Sequence, residues 1–96
     1  MRPALFFENA EGVNISRFHA AVSDRTSCFI RCKDVKDFFI HNCKPQSAPV
    51  PFLSLEGKTE DITIMNNDLR KVKDIYRIEN KKYDNEIHTG NNLIRK

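Results

Sequence analysis

A short alternating pattern recurs along this chain every 23 to 25 residues, and a chain that repeats itself at that interval is constrained to pile similar units on one another. The unit is plainest in Pro51 to Asn67, PFLSLEGKTEDITIMNN. There, two runs of period-two alternation, Phe52 to Glu56 and Asp61 to Met65, flank a polar turn around Gly57. Phe7, Ile30, Leu53 and Tyr76 fall in one column at successive offsets of 23, and Asn9, Cys32, Leu55 and Ile78 fall in a second column two residues on. The other run recurs through Val13, Phe38 and Ile62 and through Ile15, Ile40 and Ile64, at offsets of 25 and then 24. Constant strand spacing with drifting turn length is what stacked strands require, because equivalent strands lie about 4.8 Å apart while solvent-facing turns are free to vary.

The segments FFENAEGVNISRF, FIRCKDVKDFFIHNC and FLSLEGKTEDITIMNNDL resemble consecutive coils of a right-handed parallel β-helix of the pectin-lyase-like kind. The nearest likeness is to the C-terminal coils of polygalacturonase-type glycoside hydrolases and related polysaccharide-degrading proteins. It covers residues 4–80 and implies an all-β fold, a right-handed parallel β-helix segment of three to four coils with about 23–25 residues per coil. The coils are expected over residues 4–21, 28–45, 51–67 and 75–89, with a tail over 90–96 that ends or frays the stack. The resemblance further implies a segment from the C-terminal part of a larger, exported protein, periplasmic or extracellular, with upstream coils as its neighbours. Stacked asparagines are a feature of that fold. Asn42 and Asn66, each two residues beyond Ile40 and Ile64, are the expected ladder, with Arg17 in their place in the first coil.

Glycoside hydrolysis in its usual forms needs two carboxyl groups about 5 to 9.5 Å apart. The Asn-Thr-Asp, Asp-Asp, Gly-His-Gly and Arg-Ile-Lys motifs of polygalacturonase-type enzymes do not occur in the sequence. Asp34, Asp37, Glu60 and Asp61 fall in turns or at strand starts and read as solvated turn residues. No catalytic, cofactor-binding or metal-binding residue is assigned, and no cofactor is expected. Arg31 and Arg77 are placed in an outward column with Glu8 and Ser54, which reads as a solvated face with a carboxylated sugar as the functional alternative. The expected function is that of non-catalytic terminal coils of a carbohydrate-active protein. A structural or adhesive β-solenoid without enzyme activity is the alternative, and a small α+β domain binding an acidic partner through a basic end is a third.

At 96 residues the chain is one domain, of a size that hides about 60–65% of its unfolded surface. Its net charge of +3 gathers late, in Lys71, Lys73, Lys81, Lys82, Arg95 and Lys96. No aromatic-interleaved basic motif accompanies these residues, so they read as a solvated end and not as a nucleic-acid surface. A polysaccharide remains a compatible partner. No apolar run approaches the ~20 residues that a membrane span needs, and Met1 to Phe7 holds no run of signal length.

The spacing of Cys28, Cys32 and Cys43 fits neither a zinc knuckle nor a redox pair, and Cys32 reads as a small buried residue beside Leu55. A Cys28–Cys43 or Cys32–Cys43 bridge is the alternative in an oxidising compartment. Asn14-Ile15-Ser16 has the form of a glycosylation sequon on a strand, and His19 reads as a surface residue.

Local patterns leave three further expectations. Val35, Phe38, Phe39 and Asn42 lie near helical spacing, yet the repeat favours strand over a helix from Asp34 to Cys43. Leu69, Val72 and Tyr76 predict a helical turn over Asp68 to Lys73, and Ser23 to Thr26 and the proline-bearing stretch Lys44 to Val50 read as loops. Finally, an apolar layer of Leu5, Phe7, Val13 and Ile15 at the first edge predicts self-association through that edge.

Overall fold

A computed structural model describes residues 5–19, 28–46 and 49–94 of the chain. Eight strands are described: β1 (Leu5–Glu8), β2 (Glu11–Ser16), β3 (Ile30–His41), β4 (Leu53–Met65), β5 (Asp68–Leu69), β6 (Tyr76–Ile78), β7 (Ile87–Gly90) and β8 (Leu93–Ile94). A 3₁₀ helix, Lys81–Glu86, joins β6 to β7. Every strand pairing is parallel, and each links a strand to its equivalent one repeat away. The chain is a parallel β-helix.

The strands form three walls. The first is β1, the front half of β3, the front half of β4, and β6; the second is β2, the back halves of β3 and β4, and β7. The third wall is the short pair β5 and β8. Parallel strands need long crossovers, and here the other two walls of the coil serve as the crossover.

Alternation along β3 and β4 sends one set of side chains into the tube. Ile30, Cys32, Phe38 and Ile40 stack directly over Leu53, Leu55, Ile62 and Ile64, and all are at most 1% exposed. Phe29 continues this stacking behind wall one, its ring centroid 6.1 Å from that of Phe52. Each such side chain stabilises the fold by about 1.5–3 kcal/mol, so most of the apolar stabilisation sits in the two middle coils. In the first coil the inward residues Leu5, Phe7, Val13 and Ile15 are only partly buried, because β1 and β2 have strand neighbours on one side alone among the described residues.

The structure corrects several expectations. In the first coil the columns shift by two residues: Leu5, not Phe7, pairs with Ile30, and Phe7 pairs with Cys32. Asn9 leaves the inward column and takes a corner with φ of 54°. The offset from coil one to coil two is 25 on both walls, while from coil two to coil three it is 23 on wall one and 24 on wall two. The extra residue enters at the corner, where Gly57 and Lys58 stand opposite Asp34 alone.

Strand and turn are also less separate than the pattern suggested, since β3 and β4 run continuously through that corner. The helical turn expected over Asp68 to Lys73 is instead strand β5 followed by a turn, because Asp68 N–H donates to the Cys43 carbonyl of the coil before. The tail does not fray at Gly90: that residue ends β7, and Leu93 and Ile94 form β8 against β5. No α-helix occurs among the described residues, so the α+β alternative has no support in the fold. The expected loop at Ser23 to Thr26 lies outside the described residues, as do Ala4, Ala20, Ala21, Ser47, Ala48, Arg95 and Lys96.

Candidate functional site

The corner between walls two and three is built from two adjacent residues per coil. The first takes a left-handed backbone in every coil: Arg17, Asn42, Asn66 and Asn91 have φ of 55°, 55°, 56° and 52°. Asparagine tolerates that region better than other residues with a Cβ, which explains three of the four identities. The second residue points into the stack and forms the ladder. Asn67 Oδ1 accepts from Cys43 N–H at 2.9 Å, and Asn92 Oδ1 accepts from Asn67 N–H at 3.1 Å and from Asn67 Nδ2 at 3.0 Å. The amides also donate to the coil before, Asn67 Nδ2 to the Ile40 carbonyl at 3.4 Å and Asn92 Nδ2 to the Ile64 carbonyl at 2.9 Å.

The ladder is therefore Asn67 and Asn92, and the expected pair Asn42 and Asn66 are the bend residues beside it. In coil two the same slot holds Cys43, whose Sγ accepts from Phe18 N–H at 3.4 Å and donates to the His41 carbonyl.

Outward on wall one, Phe6, Arg31, Ser54 and Arg77 share a column, so the sequence-based placement of Glu8 beside Arg31 is corrected by the two-residue shift. Arg31 is held from two sides. Its Nε and Nη2 donate to the Glu56 carboxylate at 2.6 and 2.9 Å, and its guanidinium lies 5.1 Å from the centre of the Phe6 ring. The hydrogen bonds from Arg31 hold the Glu56 carboxyl below its ordinary value. Arg77 donates to Ser54 Oγ at 3.1 Å. Both arginines thus hold neighbouring coils together, and Arg31 spends its planar donor edge on Glu56.

The neighbouring outward positions form two charged columns. Glu8, Lys33 and Glu56 stand in one register and Glu11, Lys36 and Glu60 in another. Lys33 Nζ lies 3.9 Å from Glu8, and Lys36 Nζ lies 3.6 Å from Glu60. Charge alternates through the first three coils of each column, so these coils stack without facing like charges; in the fourth, Glu79 follows Glu56, with Arg31 and Arg77 beside the pair.

Outward on wall two, Phe39 and His41 stack with ring centroids 4.4 Å apart. His41 uses both ring nitrogens: Nε2 lies 2.9 Å from Asn14 Oδ1, and Nδ1 lies 3.1 Å from Asn42 Nδ2. An amide oxygen only accepts and an amide nitrogen only donates, so Nε2 carries the proton and Nδ1 accepts. The sequon asparagine Asn14 is thereby tied to the coil below it.

The acidic turn residues serve the backbone. Asp34, Asp37 and Asp61 occupy left-handed corners. Asp34 Oδ1 accepts from Lys58 N–H at 2.8 Å, Glu60 pairs with Lys36, and Asp61 N–H donates to Glu86. At the far end Tyr76 donates its hydroxyl to Asp84 at 2.7 Å, and burial together with this bond pushes the phenol up to about 12. Asp68 is gripped by Arg70, whose hydrogen bonds lower its carboxyl to about 2.

The three cysteines are buried and no disulfide joins them; burial pushes the Cys32 thiol up to about 12. His19 is exposed, as are Lys71, Lys73, Lys81 and Lys82, and no cluster of three or more metal-ligating side chains occurs among the described residues. No helix among the described residues is long and apolar enough to cross a membrane.

No family model, curated protein or solved structure matches the chain. The arrangement is one of coil-to-coil ties. Sequence reasoning missed the Arg31–Glu56 pair and the Asn67–Asn92 ladder, although the Asn-Asn doublets at 66–67 and 91–92 repeat at a spacing of 25.

Proposed function

We propose that the chain serves as a non-catalytic stack segment of a β-helical protein acting on pectin or a related polysaccharide, with its first coil seated on further parallel coils. The observation that carries the stacking part is the gradient of burial along the tube. Phe7 and Ile15 are half-covered, while the residues directly beneath them, Cys32 and Ile40, are fully buried. At the opposite end Tyr76, Tyr83 and Ile87 are also only partly buried, and Leu93 and Ile94 are exposed. The polysaccharide part rests on the resemblance of the coils, and the outer walls, rich in charged, amide and aromatic groups, are compatible with it.

Two measurements test the reading. The chain should release no reducing ends from polygalacturonate while being retained on immobilised polygalacturonate; turnover refutes the non-catalytic role, and absence of retention favours a purely structural or adhesive solenoid. Light scattering should show weak, concentration-dependent association through the apolar layer that the pair Phe7→Lys and Ile15→Lys abolishes in a still-folded protein. Unchanged association in that variant removes the first coil as the seat.

A further inference from the structure

The first coil presents more than an uncovered apolar layer. Its edge carries Glu8 and Glu11, both exposed, at the heads of the two alternating columns, Glu8 over Lys33 over Glu56 and Glu11 over Lys36 over Glu60. Within the stack each glutamate of these columns has a cation in the adjoining coil, and Glu56 has Arg31 as well. A cation above each of Glu8 and Glu11 would give them the setting that Lys33 and Lys36 give within the stack; the one like pair in these columns, Glu79 following Glu56, has Arg31 and Arg77 beside it.

We infer that the first-coil edge of β1 and β2 is an interaction surface for a parallel β-strand coil with apolar residues over Leu5, Phe7, Val13 and Ile15 and with Lys or Arg over Glu8 and Glu11. The inference rests on the proposed stacking role and names the chemistry of the partner. A second copy of this chain does not meet that description. Its last coil brings Glu79, whose N–H donates to the Leu55 carbonyl at the foot of the first charged column, so a copy seated head to tail sets Glu79 against Glu8. Two first coils set edge to edge bring their acidic rows together. Like charges placed directly opposite each other in a sheet are destabilising.

The test uses the whole chain and two labelled synthetic strand peptides. The peptides share apolar residues over the four inward positions and differ only in carrying Lys or Glu over Glu8 and Glu11. Fluorescence anisotropy at low salt should show the Lys peptide binding about tenfold more tightly, the size expected when two exposed pairs change from attraction to repulsion. The difference should shrink at 0.5 M salt, where the screening length is only a few ångströms. In the variant Glu8→Lys with Glu11→Lys the preference should reverse. If that variant fails to fold, Glu8→Gln with Glu11→Gln should abolish the preference instead.

Equal binding of both peptides to the natural chain overturns the charge rule and leaves the stacking role standing. Binding of neither peptide overturns both. A stable dimer that excludes the Lys peptide overturns the choice of partner in favour of a second copy.

Discussion

Replacing Asn67 by alanine tests the ladder most directly, because its neighbour Asn66 provides a matched control one residue away. Asn67 is 1% exposed, and its side chain makes hydrogen bonds to Cys43 N–H, to the Ile40 carbonyl and to Asn92. Alanine leaves the Cys43 N–H, in a buried corner, without its acceptor. An orphaned buried donor costs about 1–3 kcal/mol, and loss of the bond to Ile40 adds about 0.5–1.5 kcal/mol. The total is about 3 kcal/mol, against a stability of about 5–14 kcal/mol for a chain of this length.

Asn66→Ala removes an exposed side chain from a left-handed residue with φ of 56°, for which about 1–2 kcal/mol is expected. Urea unfolding followed by circular dichroism should therefore lower the midpoint clearly more for Asn67→Ala, by about 1–2 M if the slope is about 2 kcal/mol/M. Equal shifts, or a larger one for Asn66→Ala, would refute the assignment of the ladder to the second residue of each doublet.

Four further outcomes follow from the same geometry. Thr59→Val should raise stability by about 1 kcal/mol in urea unfolding, because the Thr59 hydroxyl is fully buried in the core without a hydrogen-bond partner. Gly57→Ala should lower stability by about 2 kcal/mol in the same assay, since φ of 66° disfavours a Cβ and that Cβ would press on the Asp34 carboxylate that caps Lys58. Cys43→Asn should raise the thermal midpoint by several degrees, roughly the effect of 1 kcal/mol, by giving Phe18 N–H an amide oxygen in place of a thiol 3.4 Å away. Asp68, lowered to about 2 by Arg70, should contribute stability that is complete above about pH 4 and is lost as pH falls towards 2; Asp68→Asn should flatten acid unfolding in that window.

The sequence made the coil legible wherever two inward apolar residues recur two apart. Leu53 and Leu55 over Tyr76 and Ile78, and Ile62 and Ile64 under Phe38 and Ile40, could be aligned without coordinates, and their columns hold in the structure. The first coil was misaligned by two because Phe7 fits either inward column, and a period-two shift keeps every side chain on its correct face. Turn length was harder to read. The extra residue at Gly57 and Lys58, and the 3₁₀ helix before β7, lie where the chain faces solvent and no apolar spacing fixes the register.

The outward ties were hidden for a different reason. Arg31 to Glu56 and His41 to Asn14 join residues 25 and 27 apart in sequence, and only the register brings them together. The ladder was one residue from its expected place because a bend residue and a ladder residue adjoin, and asparagine suits both.

Because successive strands of each wall belong to successive coils, the two ends of the tube are also the early and late parts of the chain. A tensile load applied between them acts along the tube axis, across the strands, so backbone hydrogen bonds open in turn and not all at once. The first coil, with its half-covered side chains, should peel at the lowest force. Each coil detached frees one repeat of 23 to 25 residues, so an optical-trap record should show steps of roughly 80 Å of contour length. The tightly packed pair β3 and β4 should be the last to part, which makes the tube a graded tether, compliant at its first edge and stiff in the middle.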